Sequence, residues 1–227
     1  MEDKIVISLG GSLIVPEEID VEFLKSFKEL IIGEIAKGKK FILITGGGRV
    51  CRKYQNVAKD ISNPNHEDLD WIGIASLKLN AELLRVIFKD HAYNRVVENL
   101  SLPFPFEDSI VIGSAYEPGH STDYDAVLGA QSIGAKTIIN LSNTDYVYDS
   151  DPKTNPDAKK IETITWDEYQ KIIPAEWHPG LSTPFDPTAS VLAKQEGITV
   201  ISMNGKPISN LANCLNGENF IGTTIKP

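Results

Sequence analysis

Four apolar residues in a row, Phe41 to Ile44, run into Thr45-Gly46-Gly47-Gly48 and then into a helical stretch that opens with Arg49. The run has the length of a buried strand, and the glycines let the backbone turn sharply at its end. Such a turn bares main-chain amides at the positive end of a helix dipole and admits a ligand closely, which makes a seat for an anion. Arg52 adds a side-chain cation one turn into the helix. Taken alone, the stretch fits equally well a glycine turn that only reverses the chain. The pattern occurs earlier too: Ile5, Val6, Ile7 and Leu9 read as a buried strand that ends in Gly10-Gly11-Ser12.

The rest of the chain alternates helix and strand. Asp20 caps a helix with apolar residues at Phe23, Leu24, Phe27, Leu30, Ile31 and Ile35, closed by Gly38. Arg49 to Ile61 is helical, 62–66 a polar turn, and Leu69 to about Phe88 a longer amphipathic helix. Val96 and Val97 form a short strand candidate, and 98–108 a surface connection. Ser109 to Gly113 reads as a buried strand, and the capping-box spacing of Thr122 and Asp125 starts a helix with Asp123 in its first turn. Thr137 to Leu141 is the next strand. After Asp151 the chain is polar and broken by proline, then Thr165 and Glu168 cap a short helix that ends before Pro174. A loop over 174–185 leads to Asp186-Pro187, a cap followed by a first-position proline. Thr199 to Met203 is a strand, Ser209 to Leu215 a helix and Thr223 to Ile225 a closing strand. This order predicts an α/β fold: a three-layer αβα sandwich around a mainly parallel sheet, in a single domain spanning 1–227.

Composition narrows the function. A net charge of -9 argues against broad nucleic-acid binding, so a phosphate site has to be local. No apolar run approaches the ~20 residues of a membrane helix. The first residues read as neither a secretory nor a transit segment, and a cytoplasmic protein is expected. Cys51 and Cys214, far apart and without a CxxC or Cys/His cluster, argue against a disulfide framework or structural zinc.

Individual residues leave alternatives open. Asp70, with Gly73 one turn on, fits a carboxylate that receives a sugar hydroxyl, and also a solvated acid near a helix start. His120 reads most simply as a loop histidine, and Asp186 as a cap. What unites them is position: several strand ends carry glycine turns or acidic loops, which suggests one crevice at the carboxyl edge of a parallel sheet.

Seven pieces in order carry a resemblance: SLGGS at 8–12, TGGGRVCRKY at 45–54, DWIGIASLKLNAELL at 70–84, PGHSTD at 118–123, LSNTDYVYDSDP at 141–152, PFDPTAS at 184–190 and GTTI at 222–225. Over nearly its whole length the chain resembles the amino acid kinase superfamily, and within it the uridylate (UMP) kinases of the prokaryotic type. The resemblance implies transfer of a phosphoryl group from ATP to UMP. It implies that Gly47, Asp70, Tyr116, Glu117, Pro118, Gly119, His120, Ser121 and Thr122 hold UMP, on an amino-terminal acceptor side. Gly10, Gly11, Ser12, Gly48, Ser142, Asn143, Tyr148 and Asp151 would line the ATP side, which takes in the chain from about 136. Arg52 sits between the ligands, and Asp123 and Asp186 match acidic positions near the transferred group; these three are the candidate catalytic residues. Mg²⁺ would come with ATP, with no metal ligands of the protein's own, and the assembly would be a hexamer built from dimers.

Phosphoryl transfer to UMP fits a chain without a Ser/His or Cys/His pair, because the attacking phosphate oxygen is already anionic and needs no strong base. Three positions depart from the family pattern. Ser8 stands where many members carry Lys; Lys4 lies roughly 13 Å away along the strand, and Arg49 or Lys194 are the alternatives for countering charge. Tyr146 replaces a Gly, and Asp125 falls where small apolar residues are common. The rival readings are another kinase of this fold, acting on isopentenyl phosphate or an acylated amino acid, and a non-catalytic nucleotide or oxyanion binder.

Overall fold

The computed structural model describes residues 3–152, 154–178, 180–181 and 183–227, so the loop over 174–185 lies partly outside the described residues. The chain opens with β1 (Asp3–Leu9), α1 (Gly11–Ile14), α2 (Val21–Ile35), β2 (Lys39–Thr45), α3 (Gly48–Ile61) and α4 (His66–Ile87). It continues through β3 (Ile110–Gly113), α5 (Thr122–Ile133), β4 (Thr137–Ser142), β5 (Val147–Tyr148), β6 (Lys160–Ile161) and β7 (Thr163–Thr165). It closes with α6 (Trp166–Ile172), α7 (Pro187–Gln195), β8 (Thr199–Asn204), α8 (Ile208–Leu215) and β9 (Thr223–Lys226).

Seven strands form one sheet in the order β3-β2-β1-β4-β8-β9-β7, and β5 and β6 pair separately. The run from β3 to β8 is parallel throughout; β9 is antiparallel to β8 and parallel to β7. The unbroken apolar strands follow from burial on both faces. Ile7, Leu9, Phe41 and Leu43 pack with Phe27 and Ile31 of α2 and Leu84 of α4. Val6, Ile42 and Ile44 point the other way, onto Ala126, Val127 and Ala130 of α5 and Ala189 and Ala193 of α7. The chain leaves β1 toward β2 on one side and reaches β4 on the other, so the strand order reverses at β1 and β4. Open parallel sheets bind ligands in the crevice above such a point.

Asp20 caps α2, Thr165 and Glu168 form the capping box of α6, and Asp186 with Pro187 starts α7, as the spacing predicts. Four expectations are corrected. The 62–66 turn contains a helix start: Asn65 and Asp68 make a reciprocal capping box for α4. Ser121, not Thr122, caps α5, because its hydroxyl accepts from Asp123 N. Val97 forms only a single bridge with Gly113 in place of a strand. The polar segment after Asp151 closes a hairpin of β6 on β5, too short to show an apolar period. The four-residue α1 directly after Gly10 was also unforeseen. Among the described residues no helix is long and apolar enough to cross a membrane.

Candidate active site

The two glycine turns meet. A Cβ on Gly11 would lie 2.1 Å from the Gly48 nitrogen, and one on Gly46 would lie 2.7 Å from the Gly11 nitrogen, so any side chain there would force the backbones apart. Gly48 also takes φ +68°, a left-handed conformation that suits glycine as it turns the chain into α3. Gly46 N–H donates to Leu9 O (3.0 Å) and Gly10 N–H to Leu141 O (2.8 Å). The Gly10 amide is therefore used in joining β1 to β4, and differs from the bare amide expected at that position. The start of the 14-residue α3 thus lies against the end of β1, at the switch point.

Beside these turns stands a carboxylate pair. Ser8, buried on β1, donates from Oγ to Asp123 Oδ1 (3.2 Å). The Asp186 N–H donates to Asp123 Oδ2 (3.0 Å), and Asp186 in turn accepts from Ser121 N (3.3 Å) through Oδ2 and from Ala189 N (2.8 Å) through Oδ1. Asp186 is thus a cap, and also a link between α7 and the start of α5. Burial, opposed by the Asp186 amide and reinforced by the Asp186 charge, pushes the Asp123 carboxyl up to about 7. Asn140 Nδ2 donates to Pro184 O (2.7 Å), and the Tyr169 hydroxyl bonds both the N–H and the carbonyl of Phe185, fixing the approach to Asp186 from behind.

Next to the Gly46-Gly47 turn lies a cavity of about 210 Å³. Gly47, Asp70, Gly73, Glu117, Pro118, His120, Ser121 and Thr122 line it, so the structure brings most of the expected acceptor residues to one place. Asp70 Oδ2 accepts from Gly119 N (3.0 Å), which ties the loop to α4; burial pushes the Asp70 carboxyl up, and the Gly119 amide pulls it back. Tyr116, held up to about 12 by its bond to Glu117, is not among the lining residues. Trp177, Gly180 and Leu181 also line the cavity and were missed, because a polar-to-apolar loop without period gives no signal.

Of the expected ATP residues, Gly10, Gly11, Ser12 and Gly48 belong to the joined turns, while Ser142, Asn143, Tyr148 and Asp151 are spread over the segment after β4. Ser142 Oγ accepts from Thr144 N (3.2 Å), Tyr148 lies in β5 and Asp151 is exposed in the following turn. A cavity of about 310 Å³ beside them is lined by Asp145, Asn204, Lys206, Asn210 and Phe220, none of them singled out from sequence. The signal was present in Asn204-Gly205-Lys206, another glycine turn after a buried strand; Gly205 N–H donates to Ser142 O (3.0 Å).

The alternatives for a counter-charge are engaged elsewhere. Lys4 reaches Ile133 O at the far end of the sheet, Arg49 pairs with Glu17 (3.1 Å) and Lys194 pairs with Asp167. Arg52 is exposed one turn into α3 and does not line the acceptor cavity. Tyr146 takes no positive φ, and its ring lies 4.8 Å from the Lys160 ammonium, so the loop is rebuilt around a side-chain contact. Asp125 is no cap: it is fully buried, and neither of its carboxylate oxygens has a hydrogen-bond partner among the described residues. Among the described residues no group of three or more His, Cys, Asp and Glu is arranged to hold a metal.

Residues 3–100 and 108–204 match the model of the amino acid kinase family. A uridylate kinase of Pyrococcus abyssi is 32% identical over 99% of this chain and 100% of its own length. One from Methanothermobacter thermautotrophicus is 34% identical, with 99% of each chain covered. The crystal structure of uridylate kinase from Archaeoglobus fulgidus superposes with a TM-score of 0.77 at 29% identity, covering 98% of this chain and 99% of that one. The UMP kinase structure from Bacillus anthracis, at 20% identity and TM-score 0.79, supports the fold. With its glycine turns joined at the switch point and its full length aligned to these relatives, the chain belongs to the amino acid kinase family.

Proposed function

We propose that this protein is a UMP kinase, which moves the γ-phosphoryl group of ATP onto the phosphate of UMP to give UDP and ADP. The observation that carries the reading is the backbone contact between the turn at Gly10–Ser12 and the turn at Gly46–Gly48, which sets two anion seats side by side. UMP occupies the acceptor cavity: Gly47 and the loop Tyr116–Thr122 face its phosphate and base, and Asp70 its sugar. ATP lies along Gly11, Ser12, Gly48, Ser142, Asn143, Tyr148 and Asp151, with Gly10 shaping the turn.

Two polyanions must be brought within reach and their charge spread, and catalysis of this kind is mostly positioning and electrostatics. Mg²⁺ arrives with ATP and neutralises charge on its phosphates. Main-chain amides at the starts of α3 and α5 face the developing charge, and Arg52 swings in from α3. Ser8 does not replace the family's lysine as a cation. It holds Asp123 in place, and Asp123 with Asp186 frames the transfer point.

The enzyme works in the cytoplasm as an oligomer built from dimers. Tyr54, Val57 and Ile61 on α3 are 67%, 55% and 82% exposed at helical spacing, the kind of apolar face that a second copy covers. Coupled ADP release with UMP, CMP and isopentenyl phosphate tests the function. Turnover on UMP supports it; turnover on isopentenyl phosphate alone, or nucleotide binding without turnover, replaces it with one of the rivals.

A further inference from the structure

Beneath the acceptor loop lies a set of polar atoms that the mechanism above does not use. Asp125 is 0% exposed, and neither of its carboxylate oxygens makes a hydrogen bond among the described residues. The neighbouring His120 ring, whose side chain is 8% exposed, presents Nδ1 3.3 Å from Ser121 O and 3.9 Å from Asp125 Oδ2, and its Nε2 is buried without a partner. Tyr124 lies against that ring at 4.5 Å between centroids, and Tyr116 flanks it at 6.5 Å. The charges that bear on Asp125 are those of Glu117 and Asp123, both negative, and Asp70 acts on His120 from α4. On the sheet side, a Cβ on Gly129, one turn further along α5, would have Leu100 and Ile42 as its nearest neighbours.

A buried carboxyl without a hydrogen bond costs on the order of 1–3 kcal/mol, so its persistence calls for a use. Its separation from His120 exceeds a hydrogen bond by about 1 Å. His120 itself lines the acceptor cavity, together with Glu117, Pro118 and Ser121 of the same loop. The geometry points to His120 and Asp125 as a positioning pair: when the acceptor binds, the gap closes to a hydrogen bond carrying one proton and draws the loop onto the nucleotide. This rests on the UMP kinase reading. Asp125 acts through His120 and touches neither substrate, so its effect falls on acceptor affinity. Burial and the two negative neighbours favour the protonated form of Asp125, so the pair loses its proton as pH rises. The bare carboxylate then repels Glu117, and the loop loosens at high pH.

The test compares Asp125→Asn and Asp125→Leu with wild type. Wild-type KM for UMP is expected to rise on the alkaline side; Asp125→Asn, whose amide still bonds His120 and cannot ionise, flattens that rise. Asp125→Leu is expected to melt a few degrees higher, since a buried ionisable group is exchanged for an apolar one of similar volume. It should also raise KM for UMP about threefold to tenfold, with kcat and the KM for ATP within about twofold of wild type. A merely structural Asp125 predicts the opposite: lower melting, with both KM values rising together. That result, or an unchanged alkaline rise in Asp125→Asn, overturns the pair. A readout independent of turnover is the ¹⁵N-histidine NMR titration of the protein without ligand and with saturating UMP, with His120→Gln assigning the signal. Movement of that titration in Asp125→Asn supports the pair even if UMP is not turned over, an outcome that would sink only the substrate reading. No movement overturns it.

Discussion

On the acceptor side of the crevice, the loop Tyr116–Thr122 is tied to distant parts of the chain. Asp70 of α4 takes the Gly119 amide, and Asp186 at the head of α7 takes the Ser121 amide. On the donor side, the strand ends are also tied to distant parts, with Gly205 N–H donating to Ser142 O, Asn204 Nδ2 to Asp145 Oδ1 and Val147 N–H to Thr223 Oγ1, while the exposed turn residues bond near neighbours: Ser142 with Thr144 and Ser150 with Asp149. The acceptor loop is therefore tied down through the very residues that face the cavity, while on the donor rim the distant bonds fix the strand ends and leave the exposed turns at 143–145 and 149–151 as the parts a ligand can remould. Substitutions at the acceptor side and the transfer point should cost far more than those on the donor rim.

The largest effect is expected at Asp186. Asp186→Asn keeps an acceptor for Ala189 N, so melting should change little, while kcat falls on the order of 100-fold through loss of the charge that frames the transfer point. Collapsed melting with normal residual specific activity would reduce Asp186 to a cap. Next comes Arg52→Ala, expected to lower turnover with UMP at least about tenfold. Because Arg52 is exposed and off the cavity wall in this structure, near wild-type kinetics would hand its role to the amides alone.

Asp123 gives a smaller, pH-dependent effect. Its carboxyl is pushed up to about 7, whereas in the unfolded chain it titrates near 4, so between those values the folded form binds the extra proton. Its contribution is full below about 4 and is lost as pH rises through about 7. The melting temperature of Asp123→Asn relative to wild type should therefore climb by a few degrees across that window. A flat difference would mean that Asp123 is ionised throughout. The smallest effect belongs to the donor rim: Tyr146→Gly should change KM for ATP by less than about threefold. A larger change would erase the contrast between the two sides.

The same contrast explains what could be read in advance. Strands buried on both faces write themselves as apolar runs, and glycine turns mark where they end, so β1, β2 and the turns that close them were legible from Ile5–Ser12 and Phe41–Gly48, while the strand order that makes a switch point was not. The caps at Asp20 and at Thr165–Glu168 were legible as well, while the Asn65–Asp68 box was passed over as a turn. Asp125 was misread because the spacing of a capping box says nothing about which face of the helix the acid occupies, and here it is buried beside His120 of the acceptor loop. The hairpin of β5 and β6 and the approach of Trp177 to the acceptor cavity depend on contacts between segments that carry no period of their own, whereas the cavity beside Lys206 was marked by the glycine turn at 204–206 and passed over.

The most direct measurement is a crystal structure with UMP and a non-hydrolysable ATP analogue bound together. The two phosphate chains should lie end to end across the joined turns, one at Gly46–Gly48 and the other at Gly10–Ser12, with the acceptor oxygen about 3–3.5 Å from the terminal phosphorus. Phosphates seated away from these turns, or on opposite faces of the sheet, would contradict the account.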